Sequence, residues 1–416
     1  MTTGRNNPSS AHGQGVGQGV RHALLAQRVF DGRRWHAEAA VLMGDERIVG
    51  VSFWSEVPSD WPQTRLPDGA FLAPGFIDLQ VNGGGGVLLN DQPTPDGMRT
   101  IARAHRRFGT TACLPTLISD TRAQMRAAIT AARATAGRDG VLGLHLEGPF
   151  ISPMRPGVHR PDRIRQPNAG DHPPPAGEDK GDLEELCELA GAGRSFVTLA
   201  PECVSAGFVR TLASAGVRVS IGHSEASAAV VGRAVADGAT GVTHLFNAMP
   251  PLSAREPGII GAALAESRLT AGLIVDGIHV DPVSVRAAFA AKGSDRIALV
   301  TDAMPTVGTS LDHFELMGRT IGLADGRLTT KAGTLAGAHL DMATAVRNAV
   351  KLAQLPLEDA LRAASLTPAQ FLGLEHERGA LFPGARADLV ALTDELGVVA
   401  TWLGGRSDDP GVSSAP

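Results

Sequence analysis

Short apolar runs alternate with amphipathic stretches along most of the chain, which predicts repeated βα units. The runs are five to seven residues long, which suits strands buried on both faces. These runs are Phe76–Val81, Thr111–Leu117, Val141–Leu146, Phe196–Ala200, Val217–Gly222, Gly241–Leu245, Leu269–Val275 and Ile297–Thr301. Between most of them lie the predicted helices Met98–Arg107, Arg122–Thr135, Leu183–Ala190, Ala226–Ala236 and Pro282–Ala291. The number and spacing of the units favour an α/β fold with a closed (β/α)8 TIM-type barrel over an open doubly wound sheet.

The two ends of the chain carry a different pattern, which predicts antiparallel strands. Near the start, two apolar segments flank the polar turn Gly44–Arg47, as in a β-hairpin. After the eighth unit, two helical stretches, Ala338–Ala353 and Leu357–Leu366, lead to strand-like segments at Gly379–Gly384 and Ala387–Leu392. We therefore expect both chain ends to form one small β-sandwich-like domain.

These patterns divide the chain into successive parts. We predict a disordered tail at 1–20, the first part of the small β domain at 21–72, the barrel at 73–378, the second part of the small domain at 379–404 and a disordered tail at 405–416. The segment Arg160–Asp182 is dense in Pro, Asp and Gly and follows the third strand, which predicts a loop over the barrel mouth.

Composition narrows the classes of function. The 416 residues include 38 basic and 43 acidic side chains, with a formal charge of −5 and no long cationic block, which argues against nucleic-acid binding. The 3 cysteines show no CxxC spacing, which argues against a disulfide framework. Because a long apolar span and a signal pattern are both missing from the sequence, we expect no membrane association and a cytoplasmic location.

Four polar residues stand where apolar runs end. Glu147 follows the third run, His223 the fifth, His244 the sixth and Asp302 the eighth. In a parallel barrel the C-terminal strand ends meet at one mouth, so these side chains are expected to lie together. Catalytic zinc typically takes three His or carboxylate ligands and leaves one position open. Glu147, His223 and His244 supply that set.

Each of these residues also has a structural interpretation. A strand-end Glu can cap the next helix, a single His often stabilises a core, and Asp302 can act as an N-cap. Their coincidence at strand ends favours the functional interpretation. In that interpretation Asp302 is the general base toward the attacking water and then the general acid toward the leaving amine.

Further candidates lie in the loops that follow the strands. His279 is well placed for the site because it lies at the end of the seventh strand. His159 lies in the loop after Glu147, and taken alone it is interpreted as a surface histidine. Asn247 and Arg255 follow the sixth strand. The guanidinium of Arg255 can donate two hydrogen bonds to phosphate oxygens, although an exposed ion pair is the alternative interpretation of this residue.

Several motifs taken together resemble the N-acetylglucosamine-6-phosphate deacetylases of the amidohydrolase superfamily. The resemblance covers roughly residues 40 to 395, and the combination of HLEGPF with THLFNAM is specific to this branch. The motifs are Ala73–Gly83, His145–Phe150, Gly222–Ser224, Thr243–Met249, Asp276–His279 and Thr301–Ala303.

The resemblance implies roles for individual residues. It makes Glu147, His223 and His244 the metal ligands and Asp302 the catalytic acid and base. It makes His159 the group that helps to polarise the acetyl carbonyl and a contact of the substrate. The residues that it implies for holding the sugar phosphate are Asn247, Ala248, Arg255 and His279.

The first strand end indicates how many metals the site holds. Two-metal relatives carry His-x-His there, whereas this chain has Gln80-Val81-Asn82, and amides are poor zinc ligands beside imidazole. We therefore expect one divalent metal per chain, zinc in the first place, with iron, manganese or cobalt as alternatives.

The resemblance implies hydrolysis of N-acetyl-D-glucosamine 6-phosphate to D-glucosamine 6-phosphate and acetate, in amino sugar catabolism. Its partners would be the sugar phosphate and a second copy of the chain in a homodimer. Two alternatives stay open at this point: the same chemistry on the galactosamine epimer, and a non-catalytic sugar-phosphate sensor.

Overall fold

The computed structural model of the protein describes residues 21–165 and 178–407. The predicted tail at 1–20 and residues 408–416 of the other predicted tail lie outside these ranges, as do residues 166–177 of the predicted loop. Residues 405–407 do not belong to a disordered tail, because Arg406–Ser407 pairs with the preceding strand across the Gly404-Gly405 turn.

The N-terminal part contains five strands. They are β1 (Arg21–Phe30), β2 (Trp35–Gly44), β3 (Arg47–Phe53), β4 (Gln63–Arg65) and β5 (Ala70–Pro74). The predicted hairpin is the β2–β3 pair, which turns at Asp45-Glu46.

The barrel follows, built from parallel strands and the helices between them. Its eight strands are β6 (Phe76–Val81), β9 (Thr110–Ile118), β10 (His145–Glu147), β11 (Phe196–Leu199), β12 (Arg218–Ile221), β13 (Gly241–Val242), β14 (Thr270–Ile274) and β15 (Ile297–Val300), and the hairpin β7 (Gly83–Gly84) and β8 (Val87–Leu88) follows β6. The intervening helices are α1 (Pro95–Arg106), α2 (Arg122–Thr135), α3 (Glu178–Cys187), α4 (Phe208–Ser214), α5 (Ala228–Ala236), α6 (Gly258–Ala265) and α7 (Pro282–Lys292).

Hydrogen bonds between the last and first strands bring the barrel near to closure. The eight strands pair in chain order, and the Asp302 amide donates to the Gln80 carbonyl at 2.9 Å. A parallel bridge between Val81 and Ala303 continues this seam. The predicted (β/α)8 barrel is confirmed.

Local sequence explains where several helices begin. The side chains of Thr121, Ser227 and Asp281 accept backbone N–H bonds at the starts of α2, α5 and α7. Such caps satisfy amides that have no partner within the helix. The predicted start at Leu183 is five residues late, since α3 already begins at Glu178, within the segment Arg160–Asp182 that was predicted as a loop.

An antiparallel sheet that the apolar pattern did not predict follows the eighth strand. It consists of β16 (His313–Leu316), β17 (Arg319–Ala324) and β18 (Arg327–Thr330). Its apolar side chains pack on residues at or after the ends of the first three barrel strands, including Leu88, Ile118 and Val158. This inserted sheet therefore forms a wall of the barrel mouth.

The C-terminal part returns to the first strands. It contains α8 (Met342–Lys351), α9 (Leu357–Ala364), α10 (Leu366–Leu372), β19 (Leu389–Thr393), β20 (Val398–Leu403) and β21 (Arg406–Ser407). β19 pairs with β5, which joins both chain ends in one eight-stranded sheet around buried residues such as Leu24, Leu389 and Trp402. The predicted strand at Gly379–Gly384 is wrong: this segment is a turn with positive φ at both terminal glycines.

Within residues 21–165 and 178–407, no helix is both long enough and apolar enough to span a membrane.

Candidate active site

Glu147, His223 and His244 meet at the barrel mouth, as their positions at strand ends predict. The Oε1 atom of Glu147 lies 3.1 Å from His223 Nε2 and 2.9 Å from His244 Nε2. The two imidazole Nε2 atoms are 3.1 Å apart, and all three side chains are buried. Although burial opposes the effect, the two histidines that contact this carboxylate hold the pKa of Glu147 well below its usual range.

The chemistry of this cluster suits a divalent metal. His223 Nδ1 donates to the Arg155 carbonyl at 2.7 Å, so its Nε2 carries a lone pair. In the neutral ring that lone pair faces Glu147 Oε1, which is also an acceptor, and two buried acceptors so close together favour a cation between them. One carboxylate and two imidazoles form a typical zinc donor set, and the Arg155 carbonyl orients one ligand from behind.

The backbone at these strand ends adopts an uncommon conformation. His223, His244 and Asp302 have φ of 48°, 33° and 51°. Positive φ is uncommon for residues other than glycine and is costly unless the surroundings stabilise it. It ends the extended conformation, which explains why the predicted strand Gly241–Leu245 stops at Val242. The apolar pattern carries no signal of this kind.

Asp302 lies beside the cluster and is held by two amides. Its Oδ1 atom accepts from Asn82 Nδ2 at 2.6 Å and from Gln80 Nε2 at 3.1 Å. Gln80 also donates to Glu147 Oε1 at 3.2 Å. In this structure Gln80 and Asn82 therefore act as hydrogen-bond donors to carboxylates. Burial and the Glu147 charge raise the pKa of Asp302 to about 6, in the range useful for proton transfer near neutral pH.

His159 is not a surface histidine. It is buried, and its ring lies 4.6 Å from that of His223. The Ser119 backbone N–H donates to His159 Nδ1 at 3.3 Å, so the proton of the neutral ring sits on Nε2. Burial and the neighbouring His223 lower the pKa of His159 to about 3, which keeps the ring neutral.

The loop that carries His159 wraps closely around His223. A Cβ atom at Gly157 would lie 3.2 Å from His223 Cε1, and Gly157 has a φ of 54°. The Ser152 amide donates to the His223 carbonyl at 2.8 Å. The loop therefore fixes the spacing between His159 and this metal-ligand candidate.

The remaining predicted residues fall into two groups. Asn247, Ala248 and His279 line a cavity of about 400 Å³ together with the metal-ligand candidates, His159 and Asp302. His279 is oriented by the 2.6 Å hydrogen bond that its Nδ1 donates to Asp276 Oδ2. Arg255 is exposed and does not line this cavity, so its predicted contact with the phosphate stays a prediction.

Sequence reasoning missed several residues of the mouth. Ser119 orients His159, and Thr334 and Leu335, which follow the inserted sheet, line the catalytic cavity. Ser119 follows a predicted strand, and Thr334 and Leu335 follow an unpredicted element, but residue types as common as these gave no signal. Asp78 was also missed, although a carboxylate inside the apolar run Phe76–Val81 could have drawn attention.

Asp78 joins the first and eighth strands beneath the site. It is fully buried, and its carboxylate accepts from the Thr301 hydroxyl at 2.5 Å and from the backbone N–H of Gln80 at 3.2 Å. Burial raises the pKa of Asp78 to about 7.

We expect Asp78→Asn to weaken the pH dependence of stability. The folded protein holds a proton on Asp78 up to a higher pH than the unfolded chain, so this stabilisation is present at low pH and is lost as pH rises through about 7. Wild type should lose roughly 1 kcal/mol more unfolding free energy than the variant between pH 6 and 8. Denaturant unfolding at both pH values, at matched metal content, checks this. Equal losses in the two proteins would contradict it.

Comparisons with known proteins agree with this architecture. The amidohydrolase family profile matches residues 71–407. The chain is 35% identical to the N-acetylglucosamine-6-phosphate deacetylase of Haemophilus influenzae, over 93% of this chain and 99% of that protein. It is 38% identical to the N-acetylgalactosamine-6-phosphate deacetylase of Shewanella sp. (strain ANA-3), over 88% of this chain and 90% of that protein.

Solved structures of similar enzymes share the fold. The N-acetylglucosamine-6-phosphate deacetylase of Pasteurella multocida superposes with a TM-score of 0.86 at 33% identity, over 92% of this chain and 98% of the other. A variant of the Mycobacterium smegmatis enzyme in complex with N-acetyl-D-glucosamine 6-phosphate gives a TM-score of 0.84 at 32% identity, over 94% and 99% of the two chains.

Proposed function

We propose that this chain, which belongs to the amidohydrolase family, hydrolyses N-acetyl-D-glucosamine 6-phosphate to D-glucosamine 6-phosphate and acetate, in amino sugar catabolism. The observation that carries the proposal is the buried Glu147–His223–His244 cluster with Asp302 and His159 in one cavity. Relatives that match nearly the whole chain bear the name of this activity.

We assign the metal to Glu147, His223 and His244, with one ion per chain, in the first place zinc. When bound, a divalent metal would act as a Lewis acid that polarises a carbonyl and lowers the pKa of a water ligand toward about 7. The three side chains leave their open side toward the cavity, where the acetamido group would sit.

The chain's own residues move the proton and stabilise the developing charge. Asp302 takes the proton of the attacking water as the carbon–oxygen bond forms, and gives it to the sugar nitrogen as the carbon–nitrogen bond breaks. His159, protonated on Nε2, donates to the acyl oxygen and stabilises its negative charge. A fixed donor of this kind is among the larger contributions to catalysis.

Binding of the sugar phosphate is assigned to Asn247, Ala248, His279 and Arg255. The first three line the cavity, and we assign Asn247 and Ala248 to its phosphate end. Arg255 is exposed and does not line the cavity. We also propose that the protein is cytoplasmic and that it forms a homodimer. Light scattering would test the homodimer.

Acetate release by the purified protein tests the main proposal. We expect kcat/KM to be higher with N-acetylglucosamine 6-phosphate than with its galactosamine epimer. The similarity to the Shewanella enzyme makes the epimer the second candidate, and a higher kcat/KM with the epimer would establish it. Binding of both sugars without acetate release would instead indicate a sensor.

We expect Arg255→Ala to weaken binding of the phosphorylated sugar by about 10- to 100-fold in KM, since a hydrogen bond to a charged group contributes about 1.5 to 3 kcal/mol. N-acetylglucosamine without phosphate should change less than about twofold, because it offers no charge to a guanidinium. Steady-state kinetics on both sugars check this, with the exposed Arg103→Ala as control. Equal effects on both sugars would remove Arg255 from the phosphate site.

A further inference from the structure

A second cavity adjoins the catalytic one at the barrel mouth. It has a volume of about 430 Å³ and lies between the inserted sheet and the loop that carries His159. The two cavities share Gly157, Val158 and Thr334 as lining residues, so they meet along this edge. A ligand in the catalytic cavity can therefore extend into the second one.

Positive charge distinguishes the second cavity from the first. Arg319 and Lys331 line it together with the hydroxyl-bearing Thr320 and Thr330. Among the described lining residues there is no carboxylate, whereas those of the catalytic cavity include no lysine or arginine. Glu315, which accepts a hydrogen bond from Thr320, is near this wall without lining the cavity.

The wall that carries these cations is fixed in place. Arg319 donates a hydrogen bond to the Val158 carbonyl, next to His159. Buried side chains of the inserted sheet, including Phe314, Ile321 and Leu328, pack on the same side of the barrel. The inserted sheet and Arg319 are thus anchored beside the catalytic loop, and Lys331 directly follows the last strand of this sheet.

The second cavity lies across the mouth from the residues assigned to the sugar 6-phosphate. Asn247 and Ala248 follow the sixth strand and His279 the seventh, whereas the inserted sheet packs over residues at or after the ends of the first three strands. In a ring of eight strands, the second and third lie opposite the sixth and seventh. An anion bound here is therefore not the 6-phosphate of the same sugar.

We propose that the second cavity is an anion subsite for a substituent at C1 or O3 of the hexosamine 6-phosphate. This inference rests on the proposed function, because it takes the acetamido group at the metal-ligand candidates and the phosphate at Asn247. With C6 on one side of the mouth, the ring carbons next to the amide face the other side. Lys331 and Arg319 then meet a phosphate or carboxylate on that side.

Deacetylation kinetics with three sugars test the subsite. The probes are N-acetylglucosamine 6-phosphate, its 1,6-bisphosphate and its 3-O-lactyl ether, whose added groups are anionic. Lys331→Ala and Lys331→Glu are compared with wild type, and Arg327→Glu, an exposed charge reversal on the same sheet, is the control. Arg319 is left intact because it holds the loop of His159.

We expect wild type to deacetylate at least one of the two substituted sugars with a KM no higher than that of the simple 6-phosphate. Lys331→Ala should raise the KM of that sugar by about three- to tenfold, and Lys331→Glu by more. The simple 6-phosphate should change by less than about twofold in all variants.

Two results would overturn the subsite. One is rejection of both substituted sugars by an enzyme that hydrolyses the simple 6-phosphate. The other is an equal response of Lys331→Glu and Arg327→Glu. Failure of the proposed function is distinguishable from both, because wild type would then release no acetate from the simple 6-phosphate.

Discussion

Asp302→Asn protein is expected to fold and keep its metal while turning over substrate about 10²- to 10⁴-fold more slowly than wild type. The structure makes this substitution conservative in shape. Oδ1 of residue 302 accepts the hydrogen bonds from Gln80 and Asn82, and asparagine retains an oxygen at that position. What it loses is the ability to take up and release a proton.

The expected kinetic pattern separates a proton carrier from a structural residue. Loss of a catalytic acid and base should lower kcat and kcat/KM together and leave KM nearly unchanged, since substrate contacts lie elsewhere. A structural role would instead appear as lost metal or lower stability. Asp295→Asn makes the same chemical change at an exposed position and should match wild type.

The measurement is steady-state acetate release together with metal analysis of the same preparations. Asp302→Asn protein that retains metal and turns over within about tenfold of wild type would mean that another group carries the proton. His159 and His279 would be tested next, because both line the same cavity.

The barrel strands could be predicted from sequence because strands buried on both faces appear as short continuous runs of apolar residues. Phe76–Val81 is buried along its whole length, and the predicted strand has the observed bounds. α2 was also predicted with its observed bounds, since its amphipathic pattern coincides with a cap at Thr121. Local pattern and tertiary environment agree at these places, which makes the inference reliable.

The inserted sheet could not be predicted in the same way. β16 and β17 bury only alternate or single residues, such as Phe314 and Ile321, and expose the rest. Such short, half-polar strands resemble loop sequence. The cavity wall that they provide was therefore also missing from the predicted site.

The metal-ligand candidates could be predicted because their types and strand-end positions are both unusual. Their orientation could not, since it depends on long-range contacts. The proton on His223 Nδ1 is directed by the Arg155 carbonyl, and that on His159 Nε2 by the Ser119 amide. Neither partner is marked by its residue type, because both bonds are made by backbone atoms.

Glu147→Gln is expected to lose metal and activity together, in contrast to Asp302→Asn. Glu147 is the anionic member of the ligand set, and both histidine Nε2 atoms lie within 3.1 Å of its Oε1. Glutamine keeps the size and an acceptor for the Gln80 amide but removes the charge, and a neutral amide is a poor ligand for zinc. We expect turnover to fall by at least about 100-fold, more than losing an outer hydrogen-bond partner of a ligand typically costs.

Metal content and stability provide readouts that do not depend on turnover. Wild type should hold about one metal per chain, as expected for one three-residue ligand set. Added metal should raise its stability by about 4 kcal/mol at 1,000 times the dissociation constant, whereas Glu147→Gln should gain little. Glu184→Gln, an exposed control on α3, should behave as wild type. Two tightly held metals in wild type would contradict the single site, and a fully loaded, active Glu147→Gln would remove this carboxylate from the ligand set.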